Sequence, residues 1–267
     1  MKTKNILLTL AALSVALLAN AVVYSTELER RALAGDADAM YDLGACYELA
    51  AGVKQDYNKA FYWYYKSYEQ GNQWGQSALG SCYYNGWGVE ADREKALYCW
   101  KLASDQGNWG ATYNIAMLYF EHEQYPEAIE WFNRSQTTGA ALPAKYELGM
   151  CYYSKWSGQD FKKAFDYFSQ AVNEDNCPRS RAKLAEMYYY GYYVDNDYNK
   201  AFQFSHESVG QSEFLEPSGD AMRILSICYR FGHGTTQNIE QADYWNNKAK
   251  EAGDDRTMMM EKTLKKK

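Results

Sequence analysis

The sequence predicts an all-α protein, an α/α superhelical solenoid of about six helix-turn-helix repeats. Three observations carry this. The chain repeats itself about every 36 residues: AMYDLGACYELAAGVKQDYNKAFYWYYKSYEQGN, starting at Ala39, returns as QSALGSCYYNGWGVEADREKALYCWKLASDQGN from Gln76. A period in the range of roughly 20–50 residues marks a stacked array rather than one closed core. Within each copy, apolar and small residues recur at i+3 and i+4, the spacing of a helix face. Each copy also holds two such stretches, and a helix pair cannot bury its apolar faces alone, so neighbouring pairs stack.

The elements follow in order. Residues 1–21 read as a secretory signal peptide: Lys2 and Lys4 precede an apolar run from Ile6 to Leu18, and Ala19-Asn20-Ala21 supplies a small-x-small cleavage site. The expected location is therefore periplasmic or secreted, with cleavage after Ala21 and membrane contact only through this segment if it stays uncleaved. Residues 22–38 form an N-terminal capping segment, residues 39–254 the six repeats, and residues 255–267 a C-terminal cap with a basic tail.

The first helix of each repeat is anchored by Leu43, Leu79, Ile115, Leu148, Leu184 and Leu225, separated by 36, 36, 33, 36 and 41 residues. Beside the anchor lies a slot that is always small: Gly44, Gly80, Ala116, Gly149, Ala185 and Ser226. Glycine inside a helix costs up to ~1 kcal/mol against alanine, so a close approach by another helix is expected there. The second helix is anchored by Ala60, Ala96, Ala128, Ala164, Ala201 and Ala242. Asp56, Asp92, Asp160, Asp197 and Asn238 stand four residues before their alanines as N-caps. Trp63, Trp131, Tyr167, Phe204 and Trp245, three residues after it, are expected to supply the stacking surface, which accounts for most of the 26 tyrosines and other aromatics. Gly71-Asn72, Gly107-Asn108 and Gly253-Asp254 close their repeats. Residues 205–219 account for the spacing of 41 as an irregular insertion, with Phe214 and Leu215 in it.

Six cysteines in an exported chain invite a disulfide framework. The repeat speaks otherwise: Cys46, Cys82, Cys151 and Cys228 share one slot with Leu118 and Met187, which makes it an apolar core position. Cys82 and Cys99, on the two helices of one repeat, form the one disulfide pair to test.

The best copy of the pattern runs through Leu79, Gly80, Tyr83, Gly86, Gly88, Val89, Asp92, Lys95, Ala96, Trp100 and Lys101. It resembles the Sel1-like repeat, a relative of the tetratricopeptide repeat. Repeats one, two and six carry most of the motif and repeats four and five part of it. The third, YNIAMLYFEHEQYPEAIEWFNRS, departs: its anchors are 13 residues apart against 16 or 17, and it is similar to a plain tetratricopeptide unit. The resemblance implies a scaffold that binds another protein or peptide, and for exported bacterial members a place in envelope complexes, host contact or neutralisation of toxic effectors. An immunity-type protein is the alternative within binding. From another class, a β-lactam-interacting hydrolase is the rival, because one branch of the family has been discussed as binding β-lactams; that branch carries a cysteine pair in each repeat, as this chain does not.

The chemistry of the residues points away from an enzyme. His122, His206 and His233 lie in unrelated places with no metal-ligand spacing, so no metal and no cofactor is expected. Ser180-x-x-Lys183 matches an acyl-enzyme motif but lacks its partner motifs. A net charge of -6 argues against a nucleic-acid partner. For a protein partner, the resemblance puts the first helices on the concave face. Three rows there escape the packing stripe: Glu48, Tyr84, Phe120, Tyr153, Tyr189 and Arg230; Tyr41, Tyr113, Tyr146 and Arg223; and Met117 with Met150. Aromatic and arginine side chains are the usual interface anchors, and these twelve are the candidate partner-binding residues.

Overall fold

The computed structural model describes residues 22–137, 144–210 and 218–254, and every regular element among them is an α-helix. The expected signal peptide, the C-terminal cap and tail, and Phe214 with Leu215 lie outside the described residues. Contacts divide the chain into two compact units, with the division between residues 142 and 143. The first holds α1 (Thr26–Leu33), α2 (Ala37–Leu49), α3 (Tyr57–Glu69), α4 (Gln73–Asn85), α5 (Arg93–Asp105), α6 (Trp109–Glu121) and α7 (Tyr125–Thr137). The second holds α8 (Lys145–Tyr153), α9 (Phe161–Asp175), α10 (Pro178–Tyr190), α11 (Tyr198–Gly210), α12 (Gly219–Phe231) and α13 (Ile239–Glu251). Each unit is a stack of helix pairs in which every helix packs on its sequence neighbours, the expected helical solenoid. In addition α2 touches α4 and α10 touches α12, whereas successive second helices make no comparable contact. The first helices α2 and α4, and likewise α10 and α12, therefore lie together on one side of their stacks, here called the inner side.

Local chemistry sets the boundaries. Asp92 accepts from the Lys95 N–H at 3.0 Å, and Asp56, Asp160, Asp197 and Asn238 cap their helices likewise. Asp92→Ala should cost about 1 kcal/mol, read as a lower urea midpoint, because an orphan N–H of the first turn loses its acceptor. The Gly-Asn pairs do two jobs. Gly71 and Gly107 take φ of +76° and +90° to end one helix, and Asn72 and Asn108 then cap the next. In the third repeat, α6 and α7 are joined by residues 122–124 alone, with Glu123 in the left-handed region at φ +58°. That short turn replaces the glycine loop of the other repeats.

All six alanine anchors are 0% exposed, and the six Leu or Ile anchors are at most 3% exposed, so the two expected stripes are the core. The deepest aromatics stand one residue further on than expected. Tyr64, Trp100, Phe132 and Phe168, four residues after their alanines, are at most 2% exposed, while Trp63, Trp131 and Tyr167 pack at half-buried sites. The small slot explains the choice. A Cβ on Gly44 would come within 2.7 Å of the Tyr64 ring, on Gly80 within 2.5 Å of Trp100, and on Gly149 within 2.5 Å of Phe168. The close approach predicted for that slot is thus a ring lying on bare backbone, within one repeat.

Residues 205–210, expected as the start of an irregular insertion, instead continue α11. Ser205 and Ser208 are fully buried there, and the Ser208 hydroxyl donates to the Pro178 carbonyl at 2.8 Å. At the other end of the chain, α1 places Leu28 and Ala32 against Met40, Leu43 and Cys46, so the segment before the first repeat caps its core.

All six cysteines are free thiols, five of them buried. Burial raises the thiols of Cys46 and Cys99 to about 11 and those of Cys151 and Cys228 to about 12, which fits inert core residues. Cys82 and Cys99 share one core cluster with Ala60, Tyr64 and Leu79. No helix among the described residues is long and apolar enough to cross a membrane.

Candidate functional site

The inner helices position the candidate residues, and the structure sorts the twelve into those that still face outward and those already spent on packing. Tyr113 and Met117 on α6 are 4% exposed, and Tyr113 packs edge-on against Phe132 at 5.6 Å. Arg223 on α12 is 3% exposed. Expected on the open face, these three are core residues, because their rows turn inward where the facing helix presents a ring or a carboxylate. Tyr146 lies 5.9 Å from Phe168 and carries the Arg179 guanidinium on its face at 4.1 Å.

In the row five residues after the anchor, Tyr84, Tyr153 and Tyr189 reach the following repeat, whereas Glu48, Phe120 and Arg230 pair within their own. Tyr153 lies 5.5 Å from Phe161, the first residue of α9, and 6.0 Å from Tyr192 in the next loop. Tyr189 repeats this with Tyr198 at 5.2 Å, and its hydroxyl bonds His233 Nδ1 at 2.9 Å. The loop residue stacks on the first residue of the preceding second helix in each case: Trp87 on Tyr57 at 5.3 Å, Tyr192 on Phe161 at 4.9 Å, His233 on Tyr198 at 4.2 Å. His122 takes the equivalent place in the third repeat, where its Nε2 meets Arg93 at 2.5 Å and its Nδ1–H donates to the Leu118 carbonyl. Two histidines at different offsets from their anchors thus each meet the first residue of the preceding second helix. Phe120 packs on Tyr125 and Phe132, Met150 packs against the Phe168 cluster, and Tyr84 donates to Glu121 with its ring 5.6 Å from Trp100. Arg230 pairs with Asp243 at 2.6 Å. Among the twelve, Tyr41 is half-buried, its ring 5.8 Å from Tyr64 and 6.4 Å from the 41%-exposed Trp74, and burial pushes its phenol up to about 12.

Glu48 accepts from the Tyr64 hydroxyl at 2.6 Å. Burial raises its carboxyl above the usual value, against the lowering effect of that hydrogen bond. The folded state then holds this proton more tightly than the unfolded chain, so its contribution to stability falls as pH rises from 4.5 through the raised value. Glu48→Gln keeps an acceptor for Tyr64 and is expected to match or exceed the wild type in urea midpoint at pH 7. Its advantage should shrink towards pH 5, and a variant weaker at pH 7 contradicts this.

Two further arrangements escaped sequence reasoning. The motif lysine just before the alanine anchor lies over the tyrosine four residues after the leucine anchor of the same repeat: Lys59 over Tyr47 at 4.9 Å, Lys95 over Tyr83 at 5.5 Å, Lys163 over Tyr152 at 4.8 Å and Lys200 over Tyr188 at 4.8 Å. The fixed spacing of Lys and Tyr was the available signal. In the second unit, Arg223 donates to Glu186 at 2.9 Å, Asp254 at 3.1 Å and the Tyr190 hydroxyl at 3.0 Å, all of them nearly one repeat away in sequence. Lys183 joins this network through Asp220 at 2.5 Å and Glu186 at 3.2 Å.

That network also answers the acyl-enzyme motif. Lys183 is tied to two carboxylates, and the Ser180 hydroxyl is buried without a hydrogen-bond partner. No group of three or more His, Cys, Asp or Glu able to hold a metal occurs among the described residues. An open cleft of about 540 Å³ runs along residues 194–200, and the Asp197 and Lys200 in it pair with each other at 3.7 Å.

The Sel1 repeat model matches residues 37–72, 75–108, 142–176, 178–208 and 219–254. The chain belongs to the Sel1 repeat family. The matched segments pass over α6 and α7, the pair with the short turn. Sel1 repeats generally mediate protein–protein interaction, on a fold that is typically a non-catalytic scaffold. Among solved structures, the Sel1 repeat protein is similar to a protective antigen of uropathogenic Escherichia coli with an SLR fold, at 25% identity and a TM-score of 0.70 over 86% of this chain. The match takes in 49% of that protein, so the chain spans about half its length. A Sel1 repeat protein from Oxalobacter formigenes matches at 24% identity and a TM-score of 0.66, over 80% of this chain and 84% of the other. An immunity protein of Pseudomonas aeruginosa matches at 21% identity and a TM-score of 0.45, over 80% and 81%. No curated protein matches.

Proposed function

We infer that this Sel1 repeat protein is an exported scaffold of the bacterial envelope that binds a segment of another protein along the inner faces of its first helices. The observation that carries the reading is the contrast between two sets of positions. Anchors, caps and lysine–tyrosine pairs recur from repeat to repeat. The inner stripe does not: Asp38, Trp74 and Gly110 are equivalent, as are Ala45 and Ser81. Positions free of the packing code are where a solenoid carries specificity. Export rests on the sequence of residues 1–21, and amino-terminal sequencing of the envelope-fraction protein should begin at Val22.

The binding reading is tested by affinity purification of the full chain from envelope fractions, beside the variant Ala45→Arg, Ser81→Arg. Both sites are half-buried on the inner stripe, and arginine is a good helix former. A protein that co-elutes with the wild type and is lost from the variant, at unchanged helicity, supports the reading. Equal recovery by both, or no co-eluting protein, sinks it. Tyr84, Tyr153 and Tyr189 are unsuitable probes, since each also packs the joint between repeats.

A further inference from the structure

The inner helices of the first unit carry no cation. Neither α2, α4 nor α6 contains a lysine or arginine, whereas Asp38, Asp42, Glu48 and Glu121 all lie on them. Three of these acids have a partner: Asp38 accepts from Asn72 at 2.6 Å, Glu48 from Tyr64 and Glu121 from Tyr84. Asp42 has none. Half-buried, with Asp38 one turn away, it carries a raised pKa caused first by burial and then by that like charge, against the lowering effect of Arg31 on α1. An unpaired, partly desolvated carboxylate on a helix that also holds an i,i+4 like-charge pair is destabilising to the free protein.

The surface beside it is aromatic. Next in sequence to Asp42 is Tyr41, 6.4 Å from the exposed Trp74 on α4. The stripe then runs over the half-buried Ala45, Ala78 and Ser81, whose short side chains leave a trough. Elsewhere in this unit, Tyr47, Tyr83 and Trp131 are each covered by the chain's own Lys59, Lys95 or Arg134 within 5.5 Å of the ring centroid. The Tyr41–Trp74 pair has no such cover.

We propose that the trough between α2 and α4 receives an extended segment of a partner protein through a lysine or arginine side chain, which lies against Tyr41 and Trp74 and pairs with Asp42. The proposal rests on the protein-binding reading above and adds the chemistry of the partner to it. Charge complementarity selects the occupant: an acidic segment would meet four carboxylates on helices that carry no lysine or arginine, and a purely apolar one would bury Asp42 without an ion-pair partner. A cation satisfies the carboxylate and uses the ring faces together.

The test is binding of a blocked ten-residue peptide of alternating Arg and Gly to the full chain, followed by calorimetry. The same peptide with Glu for Arg is the comparison. The Arg peptide should bind and the Glu peptide should not. Asp42→Asn and Trp74→Ala should each weaken binding about fivefold, with the melting temperature of Asp42→Asn no lower than that of the wild type, while Glu69→Gln on the outer helix α3 leaves binding unchanged. Equal affinity for Asp42→Asn, Trp74→Ala and wild type would mean attraction to net charge alone and overturns the proposal. No binding of the Arg peptide overturns it too. If a native partner is still lost on Ala45→Arg, Ser81→Arg, the protein-binding reading survives and only the partner's charge is wrong.

Discussion

Trp100→Ala should be the most damaging single substitution in the first unit, costing about 3–5 kcal/mol. The indole is 1% exposed, lies on the backbone of Gly80, and donates from Nε1 to the Ser77 carbonyl at 3.1 Å. Truncation opens a cavity that Gly80 cannot fill, and it removes a ring shared with Ala96, Ala103 and Ile115 in one cluster. Trp100→Phe should recover most of the loss, because Phe132 and Phe168 occupy the equivalent place in later repeats. Urea unfolding followed by helicity measures both. A loss below about 1 kcal/mol for alanine would mean that the ring-on-glycine contact is not what holds a helix pair together.

Arg223→Met should be the counterpart in the second unit. The guanidinium is 3% exposed and shared among Glu186, Asp254 and the Tyr190 hydroxyl. Removing one partner of a buried ionic network costs about 3–5 kcal/mol, most of it the cost of leaving carboxylates in a desolvated place without their cation. The double variant Arg223→Met, Glu186→Gln should be more stable than Arg223→Met alone, since one of those carboxylates is then neutral. Melting curves of the two variants check the sign. A double variant weaker than the single would place the value of the network in Glu186 and not in the pairing.

The parts of this fold that lie within one repeat were legible in the sequence. The anchors at Leu79 and Ala96, the Asp92 cap and the Gly107-Asn108 boundary each follow from a residue type whose preference is local. What failed to show was decided by the facing helix. Trp63 and Tyr64 stand 100° apart on α3 and read alike in sequence; the glycine across from Tyr64 makes it the buried one. Arg223 and Tyr113 looked like interface residues because a row on the inner helix was assumed to face solvent throughout. Glu186 and Phe132, on other helices, turn those positions into core. The 37 residues between Arg223 and Glu186, close to one period, were the clue that pair interactions cross from repeat to repeat. The Asp42 trough was missed for the opposite reason: Trp74 is the second residue of its helix, in a row that carries Asp38 and Gly110 in the neighbouring repeats, so no periodic pattern draws attention to it.

The second glycine of the inter-helix loop has a consequence for how such an array changes. A Cβ on Gly88 would come within 2.3 Å of the Tyr57 carbonyl oxygen, and one on Gly234 within 2.1 Å of that of Tyr198, both at positive φ. Main chain meets main chain at the step from one repeat to the next, with no side chain between them. At these two steps the approach of successive repeats is set by backbone contact, and the inner stripe is free to drift toward new partners without altering it. Whole repeats can be gained or lost in the same way, each arriving with its own ruler.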